Sequence, residues 1–270
     1  MLKSAKLGFI GSGKMAEAII KGVLDQRVAM SEQIIATGPR TERGAQLATR
    51  YSIATSTDNL QAAISDVIVI SVKPQMWSRV ASQLRDQVSK RTLIISIMAG
   101  VSIMRITKTL GHEGAIVRAM PNTPGAIGRG TTVWCANNLV TGRQKEQAAA
   151  LLGALGVEKY VDDERYINMA TAVSGSGPAY TFLFMEALVD AAVRCGLGHD
   201  MAEQLVIETV QGSVEYAKQA GKHLAQLRND VTSPAGTSAE ALYVLEEAGF
   251  RSAILRAVNA AYLRARELGK

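Results

Sequence analysis

Residues Gly11-Ser12-Gly13-Lys14-Met15-Ala16 read Gly-x-Gly-x-x-Ala. They follow a short apolar run, residues 6–10, and open a stretch with apolar residues at helical spacing, 15–24. In that context the pattern is that of a dinucleotide-binding turn. The first glycine permits the tight turn, the second lets a pyrophosphate approach the backbone, and the small third residue lets helix and strand pack closely. A purely structural turn is the other reading of so short a motif. The second strand should end near Ala36, where a carboxylate would select NAD. The chain has Thr37-Gly38-Pro39-Arg40 there. No carboxylate repels a 2′-phosphate, and Arg40 can pair with one. NADPH is therefore the expected cofactor, with NADH at lower preference. A solvated residue at a helix start is the other reading of Arg40.

Further strand ends carry Ser71-Val72-Lys73-Pro74 and Ala99-Gly100. In doubly wound sheets, ligands lie at the carboxyl ends of strands. Lys73 is read as a site residue or as an ordinary surface lysine. Met120-Pro121-Asn122-Thr123-Pro124 is a rigid loop, and Asn122 could bond to a carboxamide or to the backbone. Two small-residue loops each precede a helix: Ser174-Gly175-Ser176-Gly177-Pro178 and Thr232-Ser233-Pro234-Ala235-Gly236-Thr237-Ser238. Free N–H groups at a helix start bind anions, so the pair suggests a carboxylate pocket. Helix capping alone is the alternative. No Ser/His/Asp set, carboxylate dyad or Cys/His pair stands out. Hydride transfer to an already electrophilic C=N bond needs little acid–base machinery, since the cofactor carries the chemistry.

The elements that must position these residues are of two kinds. Residues 6–10, 34–36, 66–72, 92–97 and 115–117 are apolar runs that suit strands buried on both faces. Separated by helical segments, they predict βαβ units and a mostly parallel, doubly wound sheet. Residues 131–135 and 158–161 could close it, around a helix at 141–155. After residues 162–164 no strand is expected. Helices are predicted from Pro178 to Cys195, from Asp200 (with Glu203 as a capping box) to Ala220, over 237–247 and over 251–268. Residues 1–162 should form the dinucleotide domain and 163–270 a helical one. The 179–195 segment is apolar on most faces, as a subunit interface would be.

Composition narrows the classes. With 30 Lys and Arg against 24 Asp and Glu in 270 residues, the net charge is +6. That surplus is mild and scattered, which suits a small anionic ligand better than nucleic acid. Cys135 and Cys195 are 60 positions apart and form no disulfide framework or zinc pattern. The three histidines show no ligand spacing, so no metal site is expected. A reduced, cytoplasmic setting is the default. No apolar run reaches the ~20 residues of a membrane span. The start, with Lys3 and Lys6, is broken by Gly8, Gly11 and Gly13 and reads as no signal peptide.

The chain resembles the pyrroline-5-carboxylate reductase family over essentially its whole length. The matching pieces are FIGSGKMAEAI (9–19), SVKP (71–74), MAGVS (98–102), RAMPNTP (118–124), SGSGPAY (174–180) and VTSPAGTSAEAL (231–242). The last two are the specific ones. The resemblance implies a Rossmann domain, a helical dimerisation domain, and dimers that often build decamers. It implies NAD(P)H reduction of 1-pyrroline-5-carboxylate to L-proline. By the same resemblance, Gly11 to Met15 would hold the pyrophosphate, and Thr37 and Arg40 would meet the adenosine ribose or its phosphate. Asn59, Ser71, Val72, Lys73, Pro74 and Ala99 would line the cofactor. Ser233, Gly236 and Thr237 would offer N–H groups to the substrate carboxylate. The Ser238 hydroxyl would sit near the ring nitrogen, and Glu164 near the substrate pocket.

Three positions depart from the family pattern. Ala235 replaces a glycine (SPGGTT becomes SPAGTS), Ser238 replaces a threonine, and Leu224 stands where proline is common. If position 235 needs a positive φ, Ala costs on the order of 1 kcal/mol there. These changes keep two alternatives open: a relative acting on another cyclic imine acid, and a weakly catalytic homologue that binds nucleotide for regulation.

Overall fold

A computed structural model describes Leu2 and residues 5–268. Lys3, used above in reading the start of the chain, lies outside the described residues. The chain divides into two compact units: Met1–Ser176 with Ala260–Lys270, and Gly177–Asn259.

The first unit is built on eight strands: β1 (Leu7–Ile10), β2 (Ile34–Thr37), β3 (Ala54–Ser56), β4 (Val67–Ile70), β5 (Leu93–Ser96), β6 (Ile116–Met120), β7 (Gly130–Ala136) and β8 (Gly156–Tyr160). Their order in the sheet is β3-β2-β1-β4-β5-β6-β7-β8, and only the β6–β7 pair is antiparallel. Its helices are α1 (Lys14–Asp25), α2 (Thr41–Tyr51), α3 (Leu60–Ala63), α4 (Trp77–Leu84), α5 (Ile103–Leu110), α6 (Gly142–Gly153) and α7 (Arg165–Ala170).

The β-branched runs explain the layering. In β4, Val67 and Val69 join a core cluster with Ile19, Ile20 and Leu151 of α1 and α6. Ile68 and Ile70 join a second cluster with Trp77, Val80 and Ile106 of α4 and α5. Side chains alternate faces along a strand, so a strand apolar at every position feeds both layers. Ala16 is fully buried, as close helix–strand packing requires. The sheet is thus the mostly parallel, doubly wound one expected; 131–135 falls within β7, and 158–160 within β8, which ends one residue before the expected 161. The three-residue β3 had not been read from the sequence. It carries no continuous apolar run.

The remaining helices are α8 (Gly177–Arg194), α9 (His199–Ala220), α10 (Leu224–Asp230), α11 (Thr237–Glu247) and α12 (Phe250–Glu267). No strand occurs after β8 among the described residues. The expected capping box at Asp200 is not formed. α9 begins one residue earlier, its N-cap is Gly198, and no side chain caps it. Asp200 instead places a negative charge in the first turn, where the helix dipole favours it. α10 had not been expected, since the run from Lys222 to Asp230 is too short and polar to show a helical period. α8 packs against α9, yet neither α8 nor α11 has a buried residue. Phe182, Leu183, Tyr243 and Val244 all stand exposed.

Candidate cofactor and substrate site

β1 lies between β2 and β4, so the chain crosses over in opposite directions from it. The carboxyl ends of β1 and β4 therefore flank a crevice, the usual ligand position in open α/β sheets. Gly11, just past β1, has φ +101, and its N–H donates to the Thr37 carbonyl at 2.9 Å. A Cβ there would lie 2.9 Å from the Ser71 carbonyl carbon, so only glycine fits. The Ser71 hydroxyl donates to the Gly11 carbonyl at 2.6 Å and ties the two strand ends together. Gly13 is the N-cap of α1 with no side-chain cap, and a Cβ on it would meet nothing within 4 Å. The first N–H groups of α1 are thus left for an anion.

A cavity of about 350 Å³ opens on this turn. Gly11, Ser12, Gly13, Arg40, Asn59, Ser71, Val72 and Lys73, all singled out from sequence, line it. The sequence reading missed Gly38, Pro39, Thr57 and the face made by Met76, at the N-cap of α4, with Arg79, Val80 and Gln83. The signal for that face was present: these four are spaced i, i+3, i+4, i+7 directly after Lys73-Pro74. A Cβ on Gly38 would lie 2.3 Å from the Ser12 Oγ and would make that hydroxyl turn away. Three basic side chains and no carboxylate line the cavity, and its size, open glycine turn and charge fit a dinucleotide phosphate.

Several expected residues lie elsewhere. Thr37 is fully buried beneath the cleft. Its hydroxyl donates to Asn59 Oδ1 at 2.8 Å, so it holds Asn59 rather than meeting a ribose. Met15 packs its side chain on the core, and any phosphate contact falls to its backbone. Lys14 is exposed beside the turn but outside the cavity lining. Pro74 starts a single 3₁₀ turn, Pro74–Met76, that leads into α4. Ala99 and Gly100 (φ +77) follow β5, one strand further from the switch point, and do not line this cavity.

Asn122 had two readings, and the geometry selects the backbone one. Its Nδ2 donates to the Ser174 carbonyl and to the Ser174 hydroxyl, both at 3.2 Å. Its Oδ1 accepts from the Thr131 N–H at 2.8 Å. The amide is therefore committed within the protein. The expected loop at Ser174 is also corrected. Residues Thr171–Gly175 form a π-helical turn in which the Ser176 N–H donates to the Thr171 carbonyl at 2.8 Å. Such turns are single insertions within helices and cluster at functional sites.

Glu164, expected beside the substrate, is held by this unit. Its Oε1 accepts from the Ile103 N–H and from Arg118 Nη1, each at 2.9 Å. Arg118 Nη2 donates to Asn168 Oδ1 at 2.6 Å. Burial, helped by the Glu164 charge, pushes the neighbouring Cys135 thiol up to about 12, which leaves it protonated and inert at neutral pH.

In the second unit, Ser233-Pro234-Ala235-Gly236 makes a turn closed by the Gly236 N–H donating to the Ser233 carbonyl at 3.0 Å. Ala235 has φ +57, so position 235 does require the left-handed region. Gly236 is the N-cap of α11, with no side-chain cap, and a Cβ there would meet Ser233 Oγ at 2.4 Å. Thr237 and Ser238 form the first two positions of α11, whose N–H groups lack intrahelical acceptors.

A larger hollow, about 660 Å³, lies at the opposite, amino ends of β4, β5 and β6. It mixes Lys90, Arg91 and Arg143 with Asp66 and Glu113 and has no glycine turn. Among the described residues no group of three or more His, Cys, Asp or Glu could hold a metal ion. None of the described helices is long and apolar enough to cross a membrane.

The fold and the cleft define a dinucleotide-binding oxidoreductase of Rossmann type with a helical C-terminal part. A family model described as pyrroline-5-carboxylate reductase dimerisation matches residues 164–268, and one described as NADP oxidoreductase, coenzyme F420-dependent, matches 6–100. The pyrroline-5-carboxylate reductase of Synechocystis sp. is 44% identical over 268 residues, covering 99% of each chain. That of Escherichia coli is 36% identical over 266 residues, covering 98% of each. The Plasmodium falciparum pyrroline carboxylate reductase, solved with NADP bound, superposes with a TM-score of 0.91 at 32% identity, covering 99% of each chain. The chain belongs to the pyrroline-5-carboxylate reductase family.

Proposed function

We propose that the protein reduces the C=N bond of 1-pyrroline-5-carboxylate to give L-proline, using NADPH in preference to NADH. Family membership and the glycine turn with its cationic, carboxylate-free cleft carry this reading. When bound, NADPH supplies the hydride that adds to the imine carbon. The chain's residues do the rest. Gly11, whose own N–H is held by Thr37, makes room for the pyrophosphate, and Ser12 to Met15 offer it backbone N–H groups. Arg40 pairs with the 2′-phosphate. Asn59, Ser71, Val72, Lys73 and Pro74 shape the cofactor's seat, with Ala99 and Gly100 beyond it. The uncapped start of α11, with the N–H groups of Thr237 and Ser238 and with Ser233 beside them, receives the substrate carboxylate, while Gly236, whose N–H is already given to Ser233, shapes the turn. The Ser238 hydroxyl bonds to the ring nitrogen and would relay it a proton drawn from solvent, so that the C=N bond gains one hydride and one proton. Glu164, Ser174 and Ser176 complete the set of residues assigned to the substrate.

The match to the dimerisation domain supports self-association, and we infer a homodimer that builds a decamer. We infer a functional boundary at 162/163, which differs from the division into compact units at 176/177. The partner is a small imine acid, not nucleic acid or membrane, and the setting is cytoplasmic.

The test follows NADPH oxidation at 340 nm with the five-membered imine acid. Turnover faster than with NADH or with the six-membered imine supports the reading. The strained Ala235 favours one alternative, a relative acting on another cyclic imine acid. Faster turnover on the six-membered ring would establish that instead. NADPH binding with no turnover on either would point to a regulatory homologue.

A further inference from the structure

The cofactor cleft holds a cation that the sequence reading did not assign. Arg79 lines the same cavity as Arg40 and Lys73. Arg40 is the N-cap of α2, which follows β2, and Arg79 lies on α4, which follows β4. β1 runs between those strands, so the two residues come to the one cavity from elements on either side of β1.

The α4 face is fixed in place. Trp77 is fully buried, and its Nε1 donates to Thr109 Oγ1 at 2.9 Å. Gln83, one turn beyond Arg79 on the same face, accepts from Asn59 Nδ2 at 2.9 Å. Arg79 is therefore carried by a helix pinned on either side of it. Arg43 lies closer to Arg40 in sequence but is already committed. Its Nε donates to the Ser12 carbonyl at 2.9 Å, and its Nη2 pairs with Glu17. Among the described residues, Arg40 and Arg79 make no ion pair.

We propose that Arg79 is a second guanidinium for the adenosine 2′-phosphate, acting with Arg40, and so a determinant of NADPH over NADH. The inference rests on reading this cleft as the cofactor site. A phosphate monoester dianion can accept charge-assisted hydrogen bonds from two arginines at once. An arginine in such a cleft can also stack on the adenine ring, and that role would treat NADPH and NADH alike.

The experiment is equilibrium binding of NADPH and NADH to the intact enzyme, by nicotinamide fluorescence, for wild type, R79Q, R79K and R40Q. The expected result is a loss of about tenfold in NADPH affinity in R79Q with less than about twofold for NADH. R79K should retain most of the NADPH affinity. In R79Q the salt dependence of NADPH binding should also be shallower, since one phosphate contact is gone. Equal losses for both cofactors, or no loss, would overturn the assignment of Arg79. If R40Q also fails to discriminate between the cofactors, the reading of the cleft itself falls, which is a separate outcome. Arg79 is exposed, and R79K tests the same contact with the charge kept.

Discussion

Arg118 Nη1 donates to Glu164 Oε1 at 2.9 Å, and the same oxygen accepts the Ile103 N–H. One carboxylate oxygen thus joins β6, the first residue of α5 and the residue that precedes α7. Arg118 is a fully buried arginine, so its charge depends on this partner. Removing one partner of a buried pair leaves an uncompensated charge, at roughly 3–5 kcal/mol, less where the partner is part-exposed as Glu164 is. Glu164→Ala should therefore destabilise the protein by about 2–3 kcal/mol, read as a lower denaturant midpoint at unchanged slope. Glu164→Gln keeps an acceptor for Ile103 and should cost less. A loss of imine affinity in Glu164→Gln with stability intact would restore Glu164 to the substrate pocket.

Ala235 occupies the left-handed region at φ +57. Ala235→Gly relieves about 1–2 kcal/mol of strain and gives back about 0.4–1 kcal/mol through a freer unfolded chain. A small net stabilisation, up to about 1 kcal/mol, is expected from thermal unfolding. The turn also sets the start of α11, so apparent affinity for the imine acid should change while NADPH affinity does not. A change mainly in NADPH affinity would contradict the role given to this loop.

His112 is buried, and neither ring nitrogen makes a well-formed hydrogen bond among the described residues, the Val88 backbone offering only a weak contact. Burial pushes its pKa below the ordinary value and the Lys90 charge adds to this, while the Val88 backbone opposes without reversing it. The unfolded chain then takes up the proton first. Above about pH 6.5 both states are neutral and the group has no effect. As pH falls from there toward the lowered folded value, stability is lost. Unfolding free energy measured between about pH 7.5 and 5 should fall more steeply in wild type than in His112→Phe; parallel slopes would show another group to be responsible.

Cys135 is buried, with its thiol pushed up to about 12. Because the thiolate is the nucleophile, iodoacetamide at pH 8 should leave Cys135 unmodified in the native enzyme. Mass spectrometry after digestion reads this directly. Rapid labelling of Cys135 would mean that β7 opens readily.

The sheet was legible because its strands are continuous apolar runs, and β4 feeds two core clusters with alternate residues. The glycine turn was legible because Gly11 is sterically obligatory between two strand ends. β3 and α10 were not, being short and without a period. The roles of Thr37, Asn122 and Glu164 were hidden for a different reason. Each uses a polar group that could have faced a ligand, and at least one partner of each lies 22 to 61 positions away in sequence. Residue type reveals a donor or acceptor, but only the folded chain shows which is already taken. Arg79 was hidden in the reverse way: it looked like any surface arginine until α4 was set against the cleft.

The helices α8 and α11 expose Phe182, Leu183, Tyr243 and Val244 and bury no residue of their own. A surface of that kind makes the folded state a function of how many copies are present. The melting temperature should climb with protein concentration. Under strong dilution the helical part should become the first target of a protease, before the cofactor cleft has lost its shape. Newly made chains would then depend on meeting one another to survive, so abundance itself would regulate how much working enzyme a cell holds.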